Sequence, residues 1–383
     1  MSALVDLSLC CDHHASDALE MLYKSTTEPP DGGAWEPHES PFISRLIELF
    51  TERGLLRLDR VRDELQAWLE GARHDPSATQ PIQRPEGMMG RWTQAELDLA
   101  RLYLTTLPKE RFDLGDWMLV VDYLVQRYLP MNDMRSEAEW FAVRSTMMGR
   151  VQANMESLTA KQADKVIAAL PSTVGEAASA FRLTAEQRAI MEFGRERCAE
   201  NIVSLTDDLR HRMRKRIMDY QFAQFTGDRA ITAESLQTKL LDDFGLLNRD
   251  WRRIAVTEAG ENANQGLIAS LPVGTKVRRV EQYKHACGHC VEIDGKVMTV
   301  VSPTKEPKDG DKEVWVGKNN IGRSASPRKK VGGELVEREP HEMWWIAAGV
   351  QHPHCRGRWV VQQNPDSAGD SAFSAWLATT LRG

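Results

Sequence analysis

The sequence has 383 residues, of which 42% are hydrophobic and 27% charged, and such a chain is long enough for two or three domains with a buried core. Its net charge of −6 argues against a protein that coats nucleic acid without selectivity. The longest apolar runs, WMLVV and MWWIAAGV, are far shorter than a membrane span, and Asp6 interrupts the apolar start of the chain. We therefore expect no secretory signal and no membrane partner.

The N-terminal half of the sequence predicts helices behind an exposed segment. Residues 25–42 are rich in Pro, Gly and Ser, so 1–42 is interpreted as an N-terminal segment ending in a linker. From there apolar residues recur at steps of three and four, with an interruption near Gly54. A second linker is predicted at 73–90. We therefore predict a helical domain over 43–180.

Three pairs of side chains have the spacing of a capping box, in which a hydroxyl and a Glu or Gln three residues later satisfy the first helical amides. The last pair precedes the longest helical run, predicted at about 184–226, and the segment 181–245 is assigned to this long helix and a shorter one after it. The pairs are Thr93 with Glu96, Ser136 with Glu139, and Thr184 with Gln187. One apolar stripe follows the long helix: Cys198, Ile202, Leu205, Leu209, Met213, Ile217 and Tyr220.

A basic run, RHRMRKR at 210–216, lies inside the long helix. The simpler interpretation is a solvated polar face around Met213. The alternative is a contact with DNA phosphates, or with an acidic partner surface, made by Arg212, Arg214 and Lys215.

The pattern changes in the last third of the chain. Gly245 is predicted to end the shorter helix and Asn248 to cap the next one. Beyond Pro272, TKVRRVEQY and VEIDGKVMTVV have the alternation of strands, the second folding at Asp294-Gly295 as a tight hairpin. EVWVG, MWWIAAG and RWVVQQ are further strand candidates, and 302–333 is otherwise interpreted as a long loop.

The predicted fold class is therefore α+β: an all-α N-terminal region whose long helix leads into a small, mainly antiparallel sheet domain at 246–362, followed by a small-residue tail at 363–383. Residues 249–362 contain 19 Lys and Arg against 14 Asp and Glu, so this module is basic although the whole chain is acidic.

Two short stretches, HACGHC at 285–290 and HPHC at 352–355, carry metal-ligand chemistry. Cys287, Cys290, His352 and Cys355 offer three thiolates and an imidazole, which suits tetrahedral zinc, and His354 is an alternative ligand. Because 61 residues separate the two pairs, a shared metal would close a long loop of the chain. The other interpretations of the C-x-x-C are incidental thiols or a redox couple, but redox chemistry favours a helix start, and here strand patterns flank the motif.

No enzyme signature is complete in the sequence. The C-x-x-C precedes any H-x-E, Trp345 stands where a metalloprotease helix needs its second His, and neither G-x-S-x-G nor a P-loop occurs. Four protein ligands also leave zinc no open position. We therefore expect a structural zinc and no enzyme.

Three motifs in order, RRIAVTEAGENANQG at 252–266, YKHACGHCVEIDGKV at 283–297 and HPHCRGRW at 352–359, resemble the C-terminal domain of phage Mu F-like minor head proteins, also called phage head morphogenesis proteins. The resemblance covers about 115 residues, 246–361. Residues that match the family motifs are Arg253, Thr257 and Glu258 in the helix, Cys287 and Cys290 in the knuckle, and His352, Cys355 and Arg356 at the end. Gly357 stands where the family often has a second Cys. Glu258 is expected to pair with Arg253 or Arg356.

The resemblance implies a virion component of a tailed phage or prophage, made in the host cytoplasm and built into the head near the portal vertex. It would assist head assembly, DNA packaging or ejection, with the portal protein and the major capsid or scaffold protein as partners. The basic composition of the module is compatible with this: Arg328, Lys329 and Lys330 of SPRKK would contact packaged DNA, or else they only keep a long loop solvated. The alternatives are a toxin or enzyme cargo on a Mu F-like module, and a zinc-stabilised module that binds nucleic acid or protein.

Overall fold

The computed structural model describes residues 40–78, 83–85, 90–155, 157–282, 286–363 and 371–382. Most of the predicted N-terminal segment, part of the linker at 73–90 and His285 lie outside them. The chain divides into two compact units, each made of separate stretches. The first contains the described residues of 1–50, 138–198 and 252–383, and the second contains those of 51–137 and 199–251.

Helices make up most of the described chain, which confirms the α+β class. In chain order they are α1 Pro41–Leu69, α2 Gln94–Thr106, α3 Leu114–Tyr128, α4 Met131–Asn154, α5 Ala160–Ala169, α6 Val174–Ala180, α7 Ala185–Thr226, α8 Ala233–Ile268, α9 Gly288–Ile293 and α10 Ser371–Arg382. None of them combines the length and apolar composition needed to cross a bilayer.

The strands form a small sheet and a separate hairpin. They are β1 Lys276–Val280, β2 Val297–Val300, β3 Glu313–Val314, β4 Arg328–Val331, β5 Glu334–Glu337 and β6 Arg358–Gln363. The sheet has the order β3-β2-β1-β6. Both pairs made by β1 are antiparallel and the β2–β3 pair is parallel, so the sheet is mainly antiparallel as predicted.

Three predicted helix boundaries are wrong. Gly245 does not end a helix and Asn248 does not cap one, because α8 continues through both to Ile268, and the predicted domain boundary at 245/246 falls inside α8. Ser136 does not cap a helix either. Its hydroxyl donates to the carbonyl of Asn132 inside α4, which begins at Met131. The boxes at Thr93 and Thr184 are present, each with reciprocal hydrogen bonds.

Three strand and tail predictions are also corrected. Residues 288–293 form α9, so Asp294-Gly295 joins a helix to β2 and no hairpin forms there. MWWIAAG is not a strand and contributes one isolated bridge at Met343. The predicted tail contains α10, where Phe373 and Leu377 lie on one helical face and are buried.

The first unit contains the sheet and the end of α8. A cluster of buried apolar residues joins Leu267 and Ile268 of α8 to the sheet residues Val277, Met298 and Trp359. Where α4 and α8 cross, a Cβ on Gly149 would lie 1.9 Å from the carbonyl oxygen of Ala263, and glycine therefore permits the close contact. The crossing fixes the part of α8 that leads to the C-x-x-C region.

In the second unit, the predicted interruption at Gly54 is a packing feature. The helix α1 continues through this position, and a Cβ there would lie 1.9 Å from the indole of the buried Trp251. Gly54 is therefore a contact for a large aromatic ring and does not break the helix.

Candidate metal centre

Two backbone elements of the first unit bring the predicted ligands together. Cys287 is the N-cap residue of α9 and Cys290 lies in its first turn. His352 and Cys355 lie in the turn that leads into β6. Cys290 and Cys355 are fully buried, whereas Cys287 and His352 are half-buried. The pairing of HACGHC with HPHC predicted from the sequence is therefore present in the fold.

The donor atoms are close enough to share one ion. The Nε2 atom of His352 lies 3.4 Å from Sγ of Cys287 and 3.3 Å from Sγ of Cys290. Ligands held about 2.0–2.3 Å from a tetrahedral zinc are about 3.5 Å apart, so these distances fit such an ion. The donor atoms form two overlapping sets, each with all members within 4.8 Å: Cys287, Cys290 and His352, and Glu281, Cys290 and Cys355.

The ring of His352 is held in an orientation suited to metal binding. Its Nδ1 lies 2.8 Å from the carbonyl oxygen of Pro353, to which it donates in the tautomer that leaves an Nε2 lone pair facing the thiols. The ring also stacks on Trp344, with centroids 5.9 Å apart and planes 10° from parallel. Burial lowers the pKa of His352, but the hydrogen bond with Cys287 and the charge of Cys355 outweigh it and raise this pKa to about 9. A metal would therefore displace a proton here at neutral pH.

The surroundings of Cys355 favour the thiolate form of its side chain. Burial raises the pKa of Cys355, but the hydrogen bond with Cys290 and the charges of Arg279 and His352 hold it below its ordinary value. The Nη2 atom of Arg279 lies 3.5 Å from this sulfur. Since the thiolate is the form that binds metal, the surroundings favour the reactive form before any ion arrives.

The alternative ligand His354 has another role. Its Nε2 accepts a hydrogen bond from Nε of Arg253 at 2.6 Å, and its backbone N–H donates to the hydroxyl of Thr257 at 3.0 Å. The φ of His354 is +69°, in the left-handed region, which a residue with a Cβ rarely adopts, so the turn is strained. The hydrogen bonds from Arg253 and to Thr257 of α8 stabilise this conformation. The imidazole that faces the thiols is thus that of His352.

The helix-motif residues support the site from α8. Glu258 is buried and its carboxylate accepts from Nε of Arg197 at 3.0 and 3.1 Å, a partner that sequence reasoning missed. Arg356 is 5% exposed, next to the ligand Cys355. The matched motif residues thus lie in the same unit as the metal-ligand cluster and fix its supporting helix and turn.

Two buried charged residues beside the candidate cluster were missed altogether. Arg279 and Glu281 have fully buried side chains, and Nε of Arg279 donates to Oε1 of Glu281 at 2.6 Å. The signal was present in TKVRRVEQY: positions 277, 279 and 281 share one face of a strand, and Val277 marks that face as buried. A charged pair two residues apart on such a face indicates a buried ion pair.

One argument against redox chemistry is wrong. The C-x-x-C begins a helix, as a redox motif does, although flanking strand patterns were predicted. What distinguishes this site is that Cys290 also lies beside His352 and Cys355, which makes more donors than a dithiol couple uses.

Three of the six predicted nucleic-acid contacts are paired with acids. Arg214 donates to both oxygens of Asp122 at 2.9 Å, and Arg212 donates to Asp208 at 2.7 Å. Lys329 binds Glu342. The side chains of Lys215, Arg328 and Lys330 are exposed, with Arg328 opposite Glu337 in the β4–β5 hairpin.

Comparisons with known proteins give no match: no family model, no curated protein and no solved structure is similar to this chain.

Proposed function

We propose that this chain is a structural virion protein of a tailed phage or prophage, a portal-associated minor head protein whose α+β unit is clasped by a structural zinc ion. The observation that supports this proposal is that the three motifs which resemble the phage family lie around one centre. Thr257 of the helix motif bonds the backbone of the turn that carries His352, and this imidazole faces Cys287 and Cys290.

The donor set fits zinc in a structural role. Cys287, Cys290, His352 and Cys355 would hold the ion, which joins the start of α9 to the turn before β6. Three thiolates and an imidazole fill a tetrahedral shell and leave no position for substrate. The chain's own contribution is to deliver the donors: α9 presents two thiols from one turn, and α8 holds the second turn through Thr257.

The metal is tested with Cys290→Ser. The purified full chain is expected to contain one zinc per molecule by elemental analysis, and the variant to lose it and unfold at a free energy lower by several kcal/mol, because a ligand set with a hydroxyl binds zinc poorly. The control is Cys198→Ala, a buried thiol on α7 outside the cluster, which should keep its zinc. A zinc-free parent that melts like Cys290→Ser would contradict the metal centre.

The virion assignment has its own test. Particles purified from the source phage or induced prophage are expected to contain the chain in low copy number by mass spectrometry, and the chain should co-purify with the portal ring when both are expressed together. Absence from purified particles would refute the assignment and leave the metal centre untouched.

A dithiol redox centre is the second candidate, because the C-x-x-C begins α9. It predicts that oxidised glutathione converts Cys287 and Cys290 to a disulfide at the same rate with or without zinc. The zinc centre predicts protection of both thiols by the metal.

A further inference from the structure

The space beside Gly357 is filled by a carboxylate. A Cβ on Gly357 would lie 2.0 Å from Oε1 of Glu281, whose side chain is fully buried. The backbone of Gly357 cannot easily move away, because its carbonyl accepts from Nδ2 of the buried Asn264 at 2.8 Å. A side chain at position 357 and the carboxylate of Glu281 therefore exclude one another.

Glu281 is held by a guanidinium that also contacts a candidate ligand. Arg279 donates from Nε to Glu281 at 2.6 Å, from Nη1 to the carbonyl oxygen of Gly349 at 2.9 Å, and from Nη2 to Sγ of Cys355 at 3.5 Å. Its guanidinium carbon also lies 5.2 Å from the ring centroid of Trp359. The buried guanidinium of Arg279 thus joins the carboxylate of Glu281, the backbone at Gly349 and the thiol of Cys355.

Formal charge gives this arrangement a purpose. Zinc with three thiolates and a neutral imidazole has a net charge of −1, and an unbalanced charge in a dry interior is costly. The Arg279–Glu281 pair is neutral and leaves this total unchanged, but its guanidinium places a positive charge and an N–H donor beside one of the thiolates. Glu281 holds the guanidinium through the hydrogen bond that its Oε1 accepts from Nε of Arg279, which leaves Nη2 directed at the sulfur.

We propose that the buried Arg279–Glu281 pair is the positioning device of the metal centre: Arg279 donates to the ligand thiolate of Cys355, Glu281 orients Arg279, and Gly357 provides the space for Glu281. This inference rests on the proposed zinc centre.

Direct ligation by Glu281 is the competing arrangement, because its oxygens lie 3.6 and 3.7 Å from Sγ of Cys355. Two facts favour the positioning role. Oε1 already accepts the hydrogen bond from Arg279. A fifth donor would also exceed the four that structural zinc takes.

The test uses full-length chain loaded with Co²⁺, whose sulfur-to-cobalt charge-transfer band reports on the thiolates and whose ligand-field bands report on ligand number. The double variant Arg279→Met/Glu281→Gln removes both charges of the ion pair, so neither partner is left buried without the other. We expect its charge-transfer band to move to lower energy, because the thiolate loses an N–H donor. Zinc affinity, measured by chelator competition, should fall about 10- to 100-fold, as for other residues that orient metal ligands. The ligand-field bands should keep their four-coordinate intensity.

Each outcome is decisive. Unchanged charge-transfer energy and affinity in the double variant would overturn the proposal, since a merely structural pair would alter only stability. A change of ligand-field intensity in Glu281→Gln alone would make Glu281 a ligand and also overturn it. A wild-type chain with no sulfur-to-cobalt band would instead refute the zinc centre itself.

A backbone variant tests the same device without touching either charge. Gly357→Ala places a methyl group where the Glu281 carboxylate lies and should reproduce the band shift and part of the affinity loss. Gly245→Ala in α8, outside the cluster, is the matched control, because a Cβ there meets nothing within 4 Å. Equal spectra for the two variants and the parent would contradict the proposed role of Gly357.

Discussion

Lys318 shows how a single charged residue organises the long segment between β2 and the second metal-ligand turn. Its side chain is 1% exposed, and Nζ donates to the carbonyl oxygens of Gly310 and Glu313 at 2.6 and 2.8 Å. It also lies within 5 Å of the ring centroids of Trp315 and Trp345. The residue therefore closes a loop that the sequence presents only as a polar insertion.

Burial lowers the pKa of Lys318 from 10.5 to about 7, which makes the stability of the chain depend on pH. Between pH 7 and 10.5 the side chain of Lys318 binds a proton in the unfolded chain but not in the folded chain, so this residue contributes a rise of about 1.4 kcal/mol per pH unit to the free energy of unfolding. Below pH 7 both states are protonated and this contribution to the slope disappears. Denaturant melts of the parent and of Lys318→Met across this range measure the effect as a difference: the slope of the parent should be more positive than that of the variant by this amount. Parallel curves would contradict the buried neutral amine.

At the scale of residues, the sequence was sufficient where chemistry is carried by residue type and spacing. The cluster of Cys287, Cys290, His352 and Cys355 could be predicted, because thiols and imidazoles at paired spacing have few uses other than metal binding. Arg279 and Glu281 were missed because Arg and Glu are normally exposed, and only the strand register shows that they point inward.

At the scale of elements, the errors have one physical origin: short-range preferences that the fold overrides. VEI looks like a strand because Val and Ile are β-branched, yet Cys287 begins a short helix that lets two thiols approach one imidazole. Gly245 looks like a helix end, yet α8 passes through it because buried residues on both sides, such as Phe244 and Leu247, pack in the helical register. The helices α2 and α7 begin where the capping boxes at Thr93 and Thr184 predict.

Gly245→Ala distinguishes the two interpretations of α8. In a helix interior, with no positive φ and nothing within 4 Å of an added Cβ, alanine should stabilise the chain by about 0.5–1 kcal/mol. At a helix C-cap in the left-handed region it would destabilise instead. Chemical denaturation gives the sign. Gly149→Ala at the α4–α8 crossing is the opposite control, expected to cost about 1–3 kcal/mol because its Cβ would overlap a backbone carbonyl.

At the scale of the whole molecule, neither unit is a continuous segment. The divisions at 50/51, 137/138, 198/199 and 251/252 all fall inside helices. Linker composition cannot reveal such divisions, since no Pro- or Gly-rich stretch marks them. The fold class was predictable because hydrophobic periodicity is local, but the assignment of residues to units depends on contacts distant in sequence.

The ion pairs limit the DNA contact that the six proposed basic residues can make. Of the six basic residues proposed to meet phosphates, Arg212, Arg214 and Lys329 are bound to acids, which leaves Lys215, Arg328 and Lys330 exposed. Each neutralised phosphate contributes about −0.9 to the slope of log affinity against log salt, so a slope no steeper than about −3 is expected for duplex DNA.

This limit is measurable on the full chain by titration between 50 and 200 mM salt. Lys330→Ala should make the slope about one unit shallower, whereas Arg212→Gln, whose parent side chain is held by Asp208, should not change it. A slope near −5 would mean that the arginine–aspartate pairs of α7 open on DNA. A slope that does not respond to Lys330→Ala would remove Lys330 from the contact. Binding below detection at every salt concentration would confine the proposed virion role to protein partners.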